Sequence, residues 1–144
     1  MLSRTQTAAA ITAIALVISG LYLYDRTPPF KFVEGHIDPD VAMPGQPISV
    51  SITLDWARLC ELNVTRIMRD GGGDEHKLPW SPSSPPPNTG RLTSVRSIIV
   101  PTAAKFGKGA CYRATIYMQC GVLDKLFPIK VDVPCISFEI APKG

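Results

Sequence analysis

The residues with the most chemistry open to them are four cysteines, Cys60, Cys111, Cys120 and Cys135. A zinc site needs close-spaced pairs, two ligands separated by two to four residues, so that one short turn can grip the ion. The spacings here are far longer. A nucleophilic thiol needs a base tied to it, and His36 and His76 stand in turn-like contexts with no pattern linking them to a cysteine. An even number of cysteines in a small exported domain points to two disulfides instead. Strand parity narrows the pairing. Tyr112, Ala114, Ile116, Met118 and Cys120 share one face of a strand, which leaves Cys111 on the other. Cys60 shares its face with Leu62 and Val64 and so points inward. The expected bonds are Cys60–Cys120 across the core and Cys111–Cys135 near the rim, each worth on the order of 3–4 kcal/mol in the chain-entropy model.

Other ionisable clusters fail on spacing. Asp70-Gly71-Gly72-Gly73-Asp74-Glu75-His76 lacks the alternate oxygens and distant Glu of a calcium loop, and reads as a solvated hairpin tip. Gly107-Lys108-Gly109 has neither the spacing nor the following helix of a phosphate loop. His36 and Asp38 have the types needed for acid–base work, but no recognised spacing ties a serine or a second base to them. Asn63-Val64-Thr65 matches a glycosylation acceptor with Asn63 outward by parity. The expectation is therefore no catalytic residue, no metal and no cofactor.

One segment stands apart. From Leu78 to Gly90 the chain is long, stiffened by Pro82, Pro85, Pro86 and Pro87, and carries Trp80. It can serve as a polyproline connection between two sheets with Trp80 tucked over an edge. It can also be a presented contact surface, with Trp80 and the four prolines as the candidate partner-binding residues.

The elements that must position these groups are mainly strands. Ile48, Val50, Ile52, Leu54 and Trp56 alternate with Ser49, Ser51, Thr53 and Asp55, the period of a strand with one face on a core. Phe30 and Phe32 begin an earlier strand that ends near Ile37-Asp38-Pro39, and residues 59–68 and 111–119 make later ones. In the last segment Ile129, Val131 and Val133 give way to Ile136, Phe138 and Ile140, so the parity flips around Pro134-Cys135. A bulge or a switch of sheet there would keep one inward face. The 14 Pro and 11 Gly also favour many turns. About seven short strands suit an all-β, immunoglobulin-like sandwich, with a small barrel as the alternative. The Trp and corner Tyr of true immunoglobulin domains are absent.

Ahead of these strands, Ala8 to Tyr24 is an uncharged apolar run with Arg4 on one side and Asp25 and Arg26 on the other, and Tyr22 and Tyr24 are placed for an aromatic belt. An uncleaved transmembrane anchor is the leading reading, ahead of a cleaved signal peptide and a buried core helix. The chain thus divides into a tail (1–7), an anchor or signal helix (8–24), a linker (25–30) and the sandwich domain (31–144).

At 144 residues, 45% hydrophobic and 19% charged, the chain has room for one domain and is too apolar to be disordered. Its net charge of +3 is scattered rather than gathered in a basic stripe, which argues against nucleic acid as a partner. These features lead to a membrane-anchored, exported module without enzymatic activity. It would be held by residues 8–24, with its C-terminal domain in the periplasm or extracellular space and a protein as its partner. A subunit of an envelope or virion-type assembly is the first alternative. The second is an enzyme with a dispersed site drawing on His36, Asp38 and His76.

Overall fold

In the computed structural model, which describes residues 3–23 and 26–143, one helix precedes eight strands. Helix α1 spans Arg4–Leu23. The strands are β1 (Phe30–Asp38), β2 (Val41–Ala42), β3 (Pro47–Trp56), β4 (Glu61–Arg69), β5 (Glu75–Lys77), β6 (Gly90–Ile99), β7 (Gly107–Gln119) and β8 (Ile129–Ile140). They form a three-stranded sheet of order β1-β3-β6 and a five-stranded sheet of order β2-β8-β7-β4-β5. Every pairing is antiparallel except β2 with β8, which is parallel.

The expected class is corrected by this architecture. The chain is mixed α and β, not an all-β immunoglobulin-like sandwich behind a transmembrane helix. No helix among the described residues is long and apolar enough to cross a membrane. The physical reason lies in its composition. Its first turn, Arg4-Thr5-Gln6-Thr7, is polar, and Thr12, Ser19 and Gly20 interrupt the apolar residues of the later turns. A span needs about 20 predominantly apolar residues. The assignment of 8–24 as a membrane partner, the anchored location with a periplasmic or extracellular domain, and the function of a membrane-anchored exported module are overturned with it. Tyr24 and Asp25, which bounded the expected anchor, lie outside the described residues, as do Met1, Leu2 and Gly144.

The inner faces of the two sheets share one core. Ile48, Val50, Leu54 and Trp56 of β3 lie in the same buried cluster as Met68 of β4, Ile116 and Met118 of β7 and Phe138 of β8. The alternation that makes β3 a strand is also what puts these residues on its buried side. At the parity flip, Tyr112 pairs with Ile136 and Ala114 with Val133. Strand β8 thus spends three residues where β7 spends two, a bulge at Pro134-Cys135 that returns Ile136 and Phe138 to the core. Proline has no N–H to offer the ladder, so an irregular position suits it.

The two sheets close on one side, where β1 meets β8. On the other side β6 ends one sheet, and β4 and β5 end the other. Residues 78–89 cross this gap, because they join β5 of one sheet to β6 of the other.

Candidate functional site

Between the sheets on that side is a cleft of about 490 Å³. Its walls are the inward residues of facing strands, among them Ile52, Leu54 and Leu92 on one side and Leu62, Val64 and Ile116 on the other. Pro82, Pro85, Pro86 and Pro87 line it from the crossing segment. Ligand pockets typically run from about 300 to 1,000 Å³ with mostly apolar walls and a few polar groups. The cleft has that size and that composition.

Its polar groups are concentrated. Arg66 of β4 is only 8% exposed, although its neighbours in parity are apolar. It donates to Ser81 Oγ at 3.2 Å and to Ser83 Oγ at 3.0 Å. Arg96 of β6 also donates to Ser81 Oγ, so one hydroxyl on the crossing segment receives guanidinium groups from both sheets. Tyr112 of β7 lines the same cleft. Burial lowers the pKa of Arg66; Tyr112 opposes this, and the like charge of Arg96 adds to it. Burial pushes the Tyr112 hydroxyl up, against the pull of Arg66 and Arg96. Among the described residues no carboxylate lies within ion-pair distance of either arginine.

Sequence reading missed both arginines, yet the signal was present. Arg66 has the parity of Leu62, Val64 and Met68, and Arg96 that of Leu92 and Ile98. A charged residue in phase with the apolar face of a strand must end up inside, and an inside charge requires a reason.

The other sequence-predicted residues fall in separate places. The structure bonds Cys60 to Cys120, with Cα atoms 4.8 Å apart, and Cys111 to Cys135, at 5.5 Å. Cys60 and Cys111 are buried, and Cys135 is exposed at the bulge. His36 and Asp38 stand on β1 of one sheet, whereas His76 is on β5 at the far edge of the other, so the three are not brought together.

Trp80 is 72% exposed and does not line the cleft. Its indole N–H reaches Asn63 Oδ1 at 3.5 Å, the long limit of a hydrogen bond. A ring in this setting has little packing to lose. Trp80→Ala is expected to change folding stability by about 0.5 kcal/mol or less. Thermal unfolding beside wild type checks this, and a fall of several kcal/mol would mean that the ring is packed on a sheet edge.

The Gly-rich segment is not simply a solvated tip. Asp70 is buried, and its carboxylate accepts backbone N–H groups from Gly72 (2.9 Å), Asp74 (3.0 Å) and Lys105 (3.1 Å). His76 Nε2 lies 2.8 Å from Oδ2, the oxygen that also accepts from Lys105. Burial pushes this carboxyl up, but the His76 bond and the three backbone donors outweigh that and hold it well below the usual carboxylate range. Gly71 allows the arrangement, because a Cβ there would collide with the backbone of Phe106 and Gly107. The carboxylate and imidazole thus anchor a turn, and neither faces the cleft.

No protein-family model matches the chain, and no curated protein matches it. Among solved structures it is similar to the Pseudomonas fluorescens alkylpurine DNA glycosylase AlkC bound to DNA containing an abasic site analog. That likeness has 18% identity and a TM-score of 0.44, over 88% of this chain and 33% of that one. It is also similar to Spo0M, a sporulation control protein from Bacillus subtilis, with 11% identity and a TM-score of 0.36, over 79% of this chain and 50% of that one. The chain therefore spans a third to a half of these two chains.

Proposed function

We propose that this domain binds a small, largely apolar molecule between its two sheets, without transforming it. The observation that carries the reading is the apolar cleft of about 490 Å³ roofed by the proline segment. A gap between two sheets is normally filled by their own side chains at crystal-like density. Here Leu62, Val64 and Leu92 keep partial exposure although they face inward and pack on the core. Apolar surface of that kind gains about 25 cal/mol per Å² when a ligand covers it. Pro82, Pro85, Pro86 and Pro87 suit a roof, because fixed φ angles reduce the entropy lost when the segment settles on a ligand. The lining is poor in groups for acid–base chemistry. Its titratable side chains are Arg66, Arg96 and Tyr112, and arginine remains protonated at any working pH.

The neutral dye N-phenyl-1-naphthylamine tests the reading, since it fluoresces when transferred out of water. Titration into the wild-type protein should give saturable, one-to-one enhancement. Ser94 lies exposed at the cleft lining on β6, so Ser94→Trp should plug the space from its mouth. A loss of at least about tenfold in dye affinity is expected, the equivalent of roughly 1.4 kcal/mol. Leu92→Phe, a milder filling from the same strand, should give a smaller loss in the same direction. Circular dichroism confirms that each variant is folded. Non-saturable enhancement in wild type, or unchanged affinity in both folded variants, would overturn the reading.

A further inference from the structure

We infer that the cleft is selective for amphipathic carboxylates, whose head is held by Arg66 and Arg96 and whose apolar body lies along the walls. The inference rests on the cleft being a binding site and adds the class of molecule that it takes. Three features of the structure support it.

The first is position. Arg66 comes from the five-stranded sheet and Arg96 from the three-stranded sheet, yet both reach Ser81 Oγ. Their guanidinium groups therefore meet at one hydroxyl of the crossing segment, and both arginines also line the cleft beside it. An anionic group in the cleft next to that hydroxyl can be gripped from both sheets at once. Guanidinium is planar with five N–H donors and matches the two oxygens of a carboxylate. Arg66 bonds to the hydroxyls of Ser81, Ser83 and Tyr112 and Arg96 to that of Ser81, and with five N–H donors on each guanidinium some are left for a ligand.

The second is charge. Buried cations are ordinarily paired with an anion, because desolvation otherwise costs several kcal/mol. Arg66 is buried beside a like charge, and among the described residues no carboxylate is within ion-pair distance of either. Serine hydroxyls solvate the two guanidinium groups without neutralising them. An anion entering the cleft would supply what the protein's own side chains do not.

The third is the shape of the rest. Beyond the two arginines and Tyr112 the walls are mainly aliphatic, with Ile52, Leu54, Leu62 and Ile116 along them. A small inorganic anion would satisfy the arginines and leave this surface wet. A hydrocarbon alone would cover it and leave the arginines as they are. A carboxylate with an alkyl or aromatic body does both.

Displacement of N-phenyl-1-naphthylamine by dodecanoate and by 1-dodecanol separates head from body at one chain length. In wild type, dodecanoate should displace the dye at a concentration at least about tenfold lower than the alcohol, as charge-assisted bonds to arginine imply. In Arg96→Met, with each displacement referred to that variant's own dye affinity, the preference should shrink to within about threefold. Arg96→Lys, which keeps the charge without the fork, should retain part of the preference. Arg66→Met should also abolish the preference, and without loss of thermal stability in the ligand-free protein, because a neutral chain of similar length replaces an unpaired buried charge. A structural role for Arg66 would instead lower the melting temperature.

Inorganic phosphate serves as the head-only control and should displace no dye. Equal displacement by acid and alcohol in wild type, or a preference that survives both Met variants, would overturn carboxylate selectivity while leaving the cleft as a binding site. Absence of dye binding would remove the cleft reading itself.

Discussion

Asp70→Ala is expected to destabilise the fold by about 3–4 kcal/mol, a large share of the 5–15 kcal/mol typical of a domain. The carboxylate accepts four hydrogen bonds, from the backbones of Gly72, Asp74 and Lys105 and from His76. Each bond to a charged acceptor is worth about 1.5–3 kcal/mol, less what water recovers at the more open donors. The group also ties two distant parts of the chain. Gly71 N donates to Lys105 O at 2.9 Å while Lys105 N donates to Asp70 Oδ2, so the β4–β5 tip is clamped on the approach to β7. Removing the carboxylate leaves the clamp half made. Asp70→Asn keeps one acceptor oxygen but turns the other into a donor, which must face either the N–H groups of Gly72 and Asp74 or those of Lys105 and the histidine, so it should lie between Ala and wild type. Urea unfolding of the three proteins measures the series. A loss below about 1 kcal/mol in the alanine variant would mean that the turn holds itself.

The same carboxylate gives stability a pH dependence of known sign. Its pKa in the folded chain is depressed, whereas in the unfolded chain it is near the ordinary aspartate value of about 3.9. Its contribution is therefore whole above about pH 4 and drains away as the pH falls below that value, where the unfolded chain takes up a proton more readily. Wild type should lose stability more steeply than Asp70→Asn between about pH 4 and pH 2. Parallel curves would place the acid sensitivity elsewhere.

What could be read from the sequence is what depends on neighbours along one strand. The alternation from Ile48 to Trp56 locates β3 and its buried face, and the parity of Cys60 with Leu62 and Val64 points that sulfur inward. The flip at Pro134-Cys135 is a bulge, because only one extra residue in β8 can keep both halves on the core. What could not be read depends on contacts between segments distant in sequence. Arg66 and Arg96 belong to different sheets, and only the crossing segment brings them to one serine. Asp70 reads as a polar residue in a turn, and only the packing of the segment at Lys105 makes it a buried one. The helix misleads for a different reason. An apolar run of nearly sufficient length suggests a membrane span, but the polar first turn is part of the helix and not a flank to it.

Loss of the Cys60–Cys120 bond is expected to have the larger effect of the two disulfides. The bonded residues are 60 apart in sequence, against 24 for Cys111–Cys135. In the chain-entropy model the longer loop is worth about 4.3 kcal/mol and the shorter about 3.5 kcal/mol. Each bond has one buried cysteine, Cys60 or Cys111, but the partner differs: Cys120 packs against the core cluster, whereas Cys135 is exposed at the β8 bulge. The longer bond also fixes the end of β7 where the chain must turn. Cys120 N and Gly121 N donate to the buried Asp124 at 2.8 and 3.0 Å, and Arg26 Nη2 donates to Phe127 O at 2.6 Å just beyond. Without the disulfide, the last rungs of the ladder, from Glu61 opposite Gln119, must hold β4 to β7 at that end by themselves. The double variant Cys60→Ala/Cys120→Ala should therefore lose about 4–5 kcal/mol, and Cys111→Ala/Cys135→Ala about 3 kcal/mol. Urea unfolding of both double variants beside wild type gives the order directly. An equal loss, or a larger one for the Cys111–Cys135 pair, would show that the β8 bulge depends more on its disulfide than the core does.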